Sequence, residues 1–217
     1  MTSNYLKDLN ALPVYKKFTT GKEGLFVQIP KTAGTSIHRS LKMLRAGKAG
    51  PNFKKHYTIH ELIELVPPDV IKRAFVFSIV RNPWDKLVSA YFFLRRVYLE
   101  RGVNRTPAPD QAFSSFHHWV NVQREINGWN DHNIRPQSEW IYDSNDHLLV
   151  DFVGRFENLE HDFRQICTHL NLPITPLEFH NRSMKRPVDY RVMYTKEHRE
   201  LVAEVYKRDI EFFGYSF

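Results

Sequence analysis

The run Ala74-Phe75-Val76-Phe77-Ser78-Ile79-Val80 is almost continuously apolar and rich in β-formers. A strand with one face in water would alternate apolar and polar side chains. This run does not alternate, so it reads as a central strand of a parallel sheet, buried on both faces. Leu25-Phe26-Val27-Gln28-Ile29 is a second such run. Pro30 stops it, Thr32, Gly34, Thr35 and Ser36 make a tight turn, and Ile37, Leu41 and Leu44 then recur at helical spacing. Past Val80, Asn82 suits a helix cap and Pro83 the first helical position. Trp84, Leu87, Val88, Tyr91 and Phe92 form the apolar stripe of that helix. Strands alternating with helices predict an α/β fold, a central parallel sheet flanked by helices.

The remaining segments fit one domain over residues 1–217. Residues 1–24 read as a polar, partly irregular lead-in, and 45–55 as a loop rich in glycine and basic residues. Thr58 followed by Glu61 predicts a capping box for a short helix through Leu65, ended by Pro67-Pro68. Helices are expected at about 113–126 and 158–170, a third strand at 148–152, and a last helix from Thr195 to about Ile210. Residues 175–194 read as irregular and basic. No internal repeat or clear linker interrupts the chain. At 42% hydrophobic residues it is not a disordered sequence. No apolar run of about 18 residues predicts a membrane span, and the first residues lack the apolar core of a leader peptide. The single cysteine, Cys167, excludes an intrachain disulfide framework and sits among Phe163, Ile166 and Leu170 as a core thiol. These features point to a cytoplasmic protein.

The formal net charge of +7 points to an anionic ligand or partner. A loop of small residues that opens a helix offers unpaired backbone N–H groups to an anion, and Lys31 adds a full charge at its mouth. The order Pro30-Lys31-Thr32-Ala33-Gly34-Thr35-Ser36 places the lysine before the small residues. The nucleotide-triphosphate loop GxxxxGK[ST] has it after, which argues against a nucleotide kinase. An ordinary strand, turn and helix with a surface lysine is the plain alternative. Arg81 directly follows the Ala74–Val80 run, fifty residues beyond Lys31, with Ser89 on the next helix. Ligands of open α/β sheets sit beyond the carboxyl ends of strands. If the two strands are neighbours, two anion sites lie side by side. No zinc-finger spacing, RRM signature or long basic run marks a nucleic-acid binder.

FVQIPKTAGTS together with FSIVRNPWDKLVSAYFFL resembles the sulfotransferases that use 3′-phosphoadenosine 5′-phosphosulfate (PAPS), and within them the carbohydrate and glycosaminoglycan branch with its bacterial relatives. KHYTIHEL, DFVGRFENLEHDF and the closing YTKEHRELVAEVYKRDIEFFGYSF extend the resemblance from residue 24 to the end. It implies a P-loop-NTPase-like sulfotransferase fold. It also implies that Lys31 contacts the phosphosulfate bridge, with Thr32, Ala33, Gly34, Thr35 and Ser36 around the 5′-phosphate. Arg81 and Ser89 match the positions that bind the 3′-phosphate, and Arg186 and Tyr190 lie in the late basic loop that closes over the nucleotide.

Sulfuryl transfer to a hydroxyl needs a base, and histidine titrates in the right range. The setting Lys55-His56-Tyr57-Thr58 resembles the segment that carries the catalytic histidine of 2-O-sulfotransferases, which makes His56 the expected base and His60 the second choice. Glu61 and Asp85 are better explained by the capping box and by the first helical turn. Gln137 and Trp140 lie in a segment similar to one near the acceptor cleft, where they would meet a sugar, unless Trp140 is core. The expected acceptor is a hydroxyl of a saccharide or acidic glycan, held by loops 45–55, 98–112 and 127–140. No metal, nucleic-acid partner or membrane span is expected. The competing reading is a non-catalytic polyanion- or nucleic-acid-binding module on the same fold.

Overall fold

The computed structural model describes residues 6, 8–43, 54–101, 109–127, 129, 131–177 and 186–217. Four strands, β1 (Tyr15–Lys17), β2 (Glu23–Val27), β3 (Phe75–Val80) and β4 (Phe152–Arg155), form one sheet in that order. β2, β3 and β4 are parallel, with Leu25 opposite Val76 and Ser78 opposite Val153. β1 adds to β2 antiparallel, with Tyr15 opposite Leu25, so the sheet is mixed. The helices are α1 (Gly34–Ser40), α2 (Ile59–Leu65), α3 (Pro68–Arg73), α4 (Pro83–Arg101), α5 (Pro109–Ala112), α6 (Phe116–Val122), α7 (Ser138–Ile141), α8 (Leu159–His169), α9 (Lys196–Val205) and α10 (Lys207–Phe213).

The chain divides into two compact units. The first comprises residues 1–80 and 137–181 and holds the sheet with α1, α2, α3, α7 and α8. Its core joins Phe26, Ile37, Phe77, Ile79, Phe163 and Ile166, and the rings of Phe26 and Phe77 stack at 5.0 Å. Cys167 on α8 is buried in it, and burial pushes its thiol pKa up. The capping box of α2 is formed: Thr58 Oγ1 accepts the Glu61 N–H at 3.3 Å, and Glu61 Oε2 accepts the Thr58 N–H at 2.8 Å.

Two strands differ from the sequence reading. β2 starts at Glu23 because that carboxylate is buried and neutralised by Arg73 Nε at 3.0 Å, so a charge does not end the strand. β4 lies further along than the apolar run at 148–150 indicates. Asp151 hooks onto β3 first: its carboxylate accepts the Val76 N–H at 2.7 Å and its own N–H donates to the Val76 carbonyl at 2.8 Å. Leu148, 44% exposed, makes only an isolated bridge to Tyr142.

The second unit comprises residues 81–136 and 182–217 and contains α4, α5, α6, α9 and α10. Its core is aromatic, with Tyr91 against Phe116 and Trp119 at 5.4 and 5.5 Å. Asn82 Oδ1 accepts the Trp84 N–H at 3.1 Å, which caps α4 with Pro83 as its first residue. Lys86 is fully buried and donates to the carbonyls of Asn133 and Arg135, so its charge is hydrogen-bonded where no water reaches. The last helical stretch breaks at Tyr206, and Gly214, left-handed at φ 60°, ends α10. Among the described residues no helix is long and apolar enough to cross a membrane, and no three metal-ligating side chains cluster.

Candidate active site

The first unit gathers Lys31, Lys55 and the start of α1 where β2 ends. Val27 is the last strand residue, and Gln28, Ile29 and Pro30 lead into the loop. Lys31 and Ala33 both take left-handed backbone, at φ 69° and 67°. For a residue with a Cβ this costs on the order of 1–2 kcal/mol. Thr32 between them is buried, and its hydroxyl donates to the Ile29 carbonyl at 3.0 Å, which pins the turn. Left-handed residues in a turn gather N–H groups into a concave anion nest. The N–H groups of Gly34 and Thr35 fall in the first turn of α1, where a helix supplies no acceptor of its own. Seven residues of helix carry a modest dipole, so cationic side chains supply most of the field. Lys31 is half-buried beside the nest, and Lys55 donates from Nζ to Thr35 Oγ1 at 3.3 Å.

Gly34 is required by close packing. A Cβ there would stand 2.4 Å from Gln28 Nε2 and 2.6 Å from its Cγ. Gln28 is 2% exposed, and its Oε1 has no hydrogen-bond partner among the described residues. A buried amide acceptor left in this state is a site for a donor to fill.

His56 is fixed by the same residue. Its Nδ1 lies 2.8 Å from the Gln28 backbone carbonyl. A carbonyl only accepts, so Nδ1 carries a proton, and in a neutral ring the lone pair is then on Nε2. Trp140 packs edge-on to the ring at 6.4 Å between centroids. His60 is exposed, and its Nε2 donates to the Tyr142 carbonyl at 3.1 Å. Glu61 is committed to Thr58 and to an ion pair with Lys54. Gln137 and Trp140 are buried, at 0% and 3% exposure, so Trp140 is core and neither offers surface to a sugar.

The second unit holds the other cluster. Arg81, directly after β3, donates from Nε and Nη2 to Asp85 Oδ2 at 2.7 and 2.6 Å. Arg186 pairs with the other oxygen, Asp85 Oδ1. Two guanidinium groups thus share one carboxylate, and all three side chains are largely buried. Burial pushes the Arg186 pKa down to about 10, and the neighbouring Arg81 charge adds to the shift. Ser89, also buried, lies one turn beyond Asp85 on α4. Tyr190 is half-buried, with Arg191 stacked over its ring at 4.8 Å and Phe217 edge-on at 5.8 Å.

A model of the sulfotransferase family matches residues 18–216. The chain belongs to the sulfotransferase family. An uncharacterized protein of Archaeoglobus fulgidus is 30% identical to this sulfotransferase over 110 residues, which cover 45% of this chain and 68% of that protein. Of the residues singled out in the sequence, the structure groups Lys31 to Ser36 with His56 in the first unit, and Arg81, Ser89, Arg186 and Tyr190 in the second. It adds three that sequence reading missed. Lys55 had a signal, because it precedes His56 in the basic loop. Gln28 looked like strand filler, and Asp85 like a first-turn charge. Residues 45–53 of the loop at 45–55, residues 102–108 of the segment at 98–112, and Arg182 and Lys185 of the late loop lie outside the described residues, while 98–101 end α4 and 109–112 form α5, and neither is loop.

Proposed function

We propose that this sulfotransferase moves the sulfuryl group of PAPS to a saccharide hydroxyl, with His56 as the base. The observation that carries the reading is the hydrogen bond from His56 Nδ1 to the Gln28 carbonyl, three residues before Lys31. It sets the tautomer of the base and ties it to the loop that receives the 5′-phosphosulfate.

Lys31 and the N–H groups of residues 32–35 hold the phosphosulfate, with Ser36, whose own N–H donates to the Ala33 carbonyl at 2.9 Å, beside them, and they balance charge that grows on the leaving phosphate. Arg81 and Arg186, with Ser89, hold the 3′-phosphate. Their two positive charges against the single charge of Asp85 leave an excess of one for the anion, which supports the fit. Tyr190 borders the nucleotide. The acceptor oxygen attacks sulfur in line. An S–O bond to the acceptor forms as the S–O bond to the 5′-phosphate breaks, and His56 Nε2 takes the hydroxyl proton. The products are the sulfate ester, 3′-phosphoadenosine 5′-phosphate (PAP) and protonated His56.

The test is calorimetric binding of PAP and ADP to wild type and Arg81→Ala. The ligands differ chiefly in the place of the second phosphate. PAP should bind at least tenfold more tightly, and Arg81→Ala should lose the difference, since a charge-assisted contact is worth about 1.5–3 kcal/mol. Equal binding of both ligands sinks the PAPS reading. Binding that falls steeply with salt and shows no PAP preference marks a polyanion module instead.

A further inference from the structure

The phosphosulfate loop has one lysine in its own sequence, Lys31, yet a second reaches it from 20 residues away. Lys55 Nζ donates to Thr35 Oγ1 at 3.3 Å. This bond uses a lone pair of the hydroxyl and leaves the Thr35 O–H to donate in another direction. Arg39, one turn beyond Thr35 on α1, adds its positive charge to Lys55; Lys31 lies in the loop before Thr35, and Lys54, which pairs with Glu61, and His56 flank Lys55 in sequence. Among the described residues Lys55 has no carboxylate partner, and Thr35 is its one polar contact. A half-buried ammonium beside another cation is stabilised when an anion arrives between them.

We propose that Lys55 is a donor-binding residue that grips the 5′-phosphate of PAPS together with the Thr35 hydroxyl. This rests on the PAPS reading above. Lys55 adds a point charge to the loop and aims the Thr35 hydroxyl at the same oxygens, so its contribution is specific to the 5′ end of the nucleotide. Burial, and then the charge of Arg39, hold the Lys55 pKa below the ordinary 10.5. Its charge is therefore lost at lower pH than that of a surface lysine, unless a bound anion restores it.

The experiment compares PAP with adenosine 3′-phosphate, which lacks the 5′ group, on wild type, Lys55→Ala, Lys55→Arg and Arg81→Ala. In Lys55→Ala the preference for PAP over adenosine 3′-phosphate should fall at least tenfold, with adenosine 3′-phosphate affinity unchanged. Lys55→Arg should restore most of it. Between pH 8 and 10, where the phosphates stay fully ionised, the preference for PAP over adenosine 3′-phosphate should decline more in wild type than in Lys55→Arg, a ratio from which the Arg186 titration at the shared 3′-phosphate cancels. An unchanged preference in Lys55→Ala, or an equal fall for both ligands, overturns the Lys55 assignment. Absence of PAP binding in wild type overturns the PAPS reading itself, so the two failures are told apart. Arg81→Ala should weaken both ligands alike.

Discussion

Asp85→Asn removes one negative charge from a buried cluster and leaves its shape almost unchanged. In the wild type Arg81 makes two bonds to Oδ2, and Arg186 pairs with Oδ1. The side chains of Arg81, Asp85 and Arg186 are 5%, 10% and 16% exposed, so solvent cannot replace the lost charge. Breaking a buried ion pair by removing one partner costs about 3–5 kcal/mol. The amide also turns an N–H group toward a guanidinium that needs an acceptor. Against a total stability of about 5–15 kcal/mol this is a large fraction. The assay is urea unfolding of wild type and variant, each with and without PAP. Without ligand the variant should unfold at clearly lower urea with the same slope. PAP at about 100 times its Kd stabilises any binder by about 2.7 kcal/mol. At equal ligand concentration the variant should gain more than wild type, because the phosphate takes over the missing carboxylate's role. A loss below about 1 kcal/mol, or equal gains with PAP, would refute the account of two arginines held by one carboxylate.

Three further outcomes follow from the geometry. His56→Gln should lower kcat for sulfate transfer about 10²- to 10⁴-fold and leave PAP affinity within a few-fold, read by steady-state kinetics and calorimetry; a variant with unchanged kcat removes His56 as the base. Gly34→Ala forces a Cβ to 2.4 Å from the buried Gln28 amide and should cost about 1–3 kcal/mol in urea unfolding while weakening PAP binding. Wild-type stability and affinity in that variant would show that Gln28 moves aside freely. His198 stacks on His117 at 4.9 Å, and its pKa is lowered first by burial, then by the His117 and Arg124 charges, against the opposing pull of Glu197. The unfolded chain therefore binds this proton first. The contribution is complete above about pH 6.5 and is lost as pH falls through that window. Tm should drop less between pH 7 and 5 in His198→Gln than in wild type, and equal drops would count against it.

The parts of the fold legible in the sequence are those set by neighbours within a few residues. The seven-residue run ending at Val80, the Asn82-Pro83 helix start and the Thr58–Glu61 capping box each depend on a local period or a single turn, and each sits where expected. β1 is a three-residue strand with two lysines, too short for any period to show. The offset of β4 comes from Asp151, whose two bonds to Val76 span 75 residues.

The candidate site divides along the same line. The Lys31 loop is a contiguous string of residues, and its chemistry is visible in order. The second cluster depends on Asp85, whose neighbours in sequence explain it fully as a helix-start charge, while its second arginine arrives from 101 positions downstream. What connects them is that two buried guanidinium groups need a carboxylate between them, which is a requirement of burial and not of spacing. Lys55 shows the converse: a basic loop residue looks solvated until the fold buries its stem against α1. A cation held there with no carboxylate partner among the described residues, beside Arg39, is half of a pair whose other half, on the proposal above, is the donor. On that argument the residues hardest to find by pattern are those whose partners are either distant in sequence or absent from it altogether.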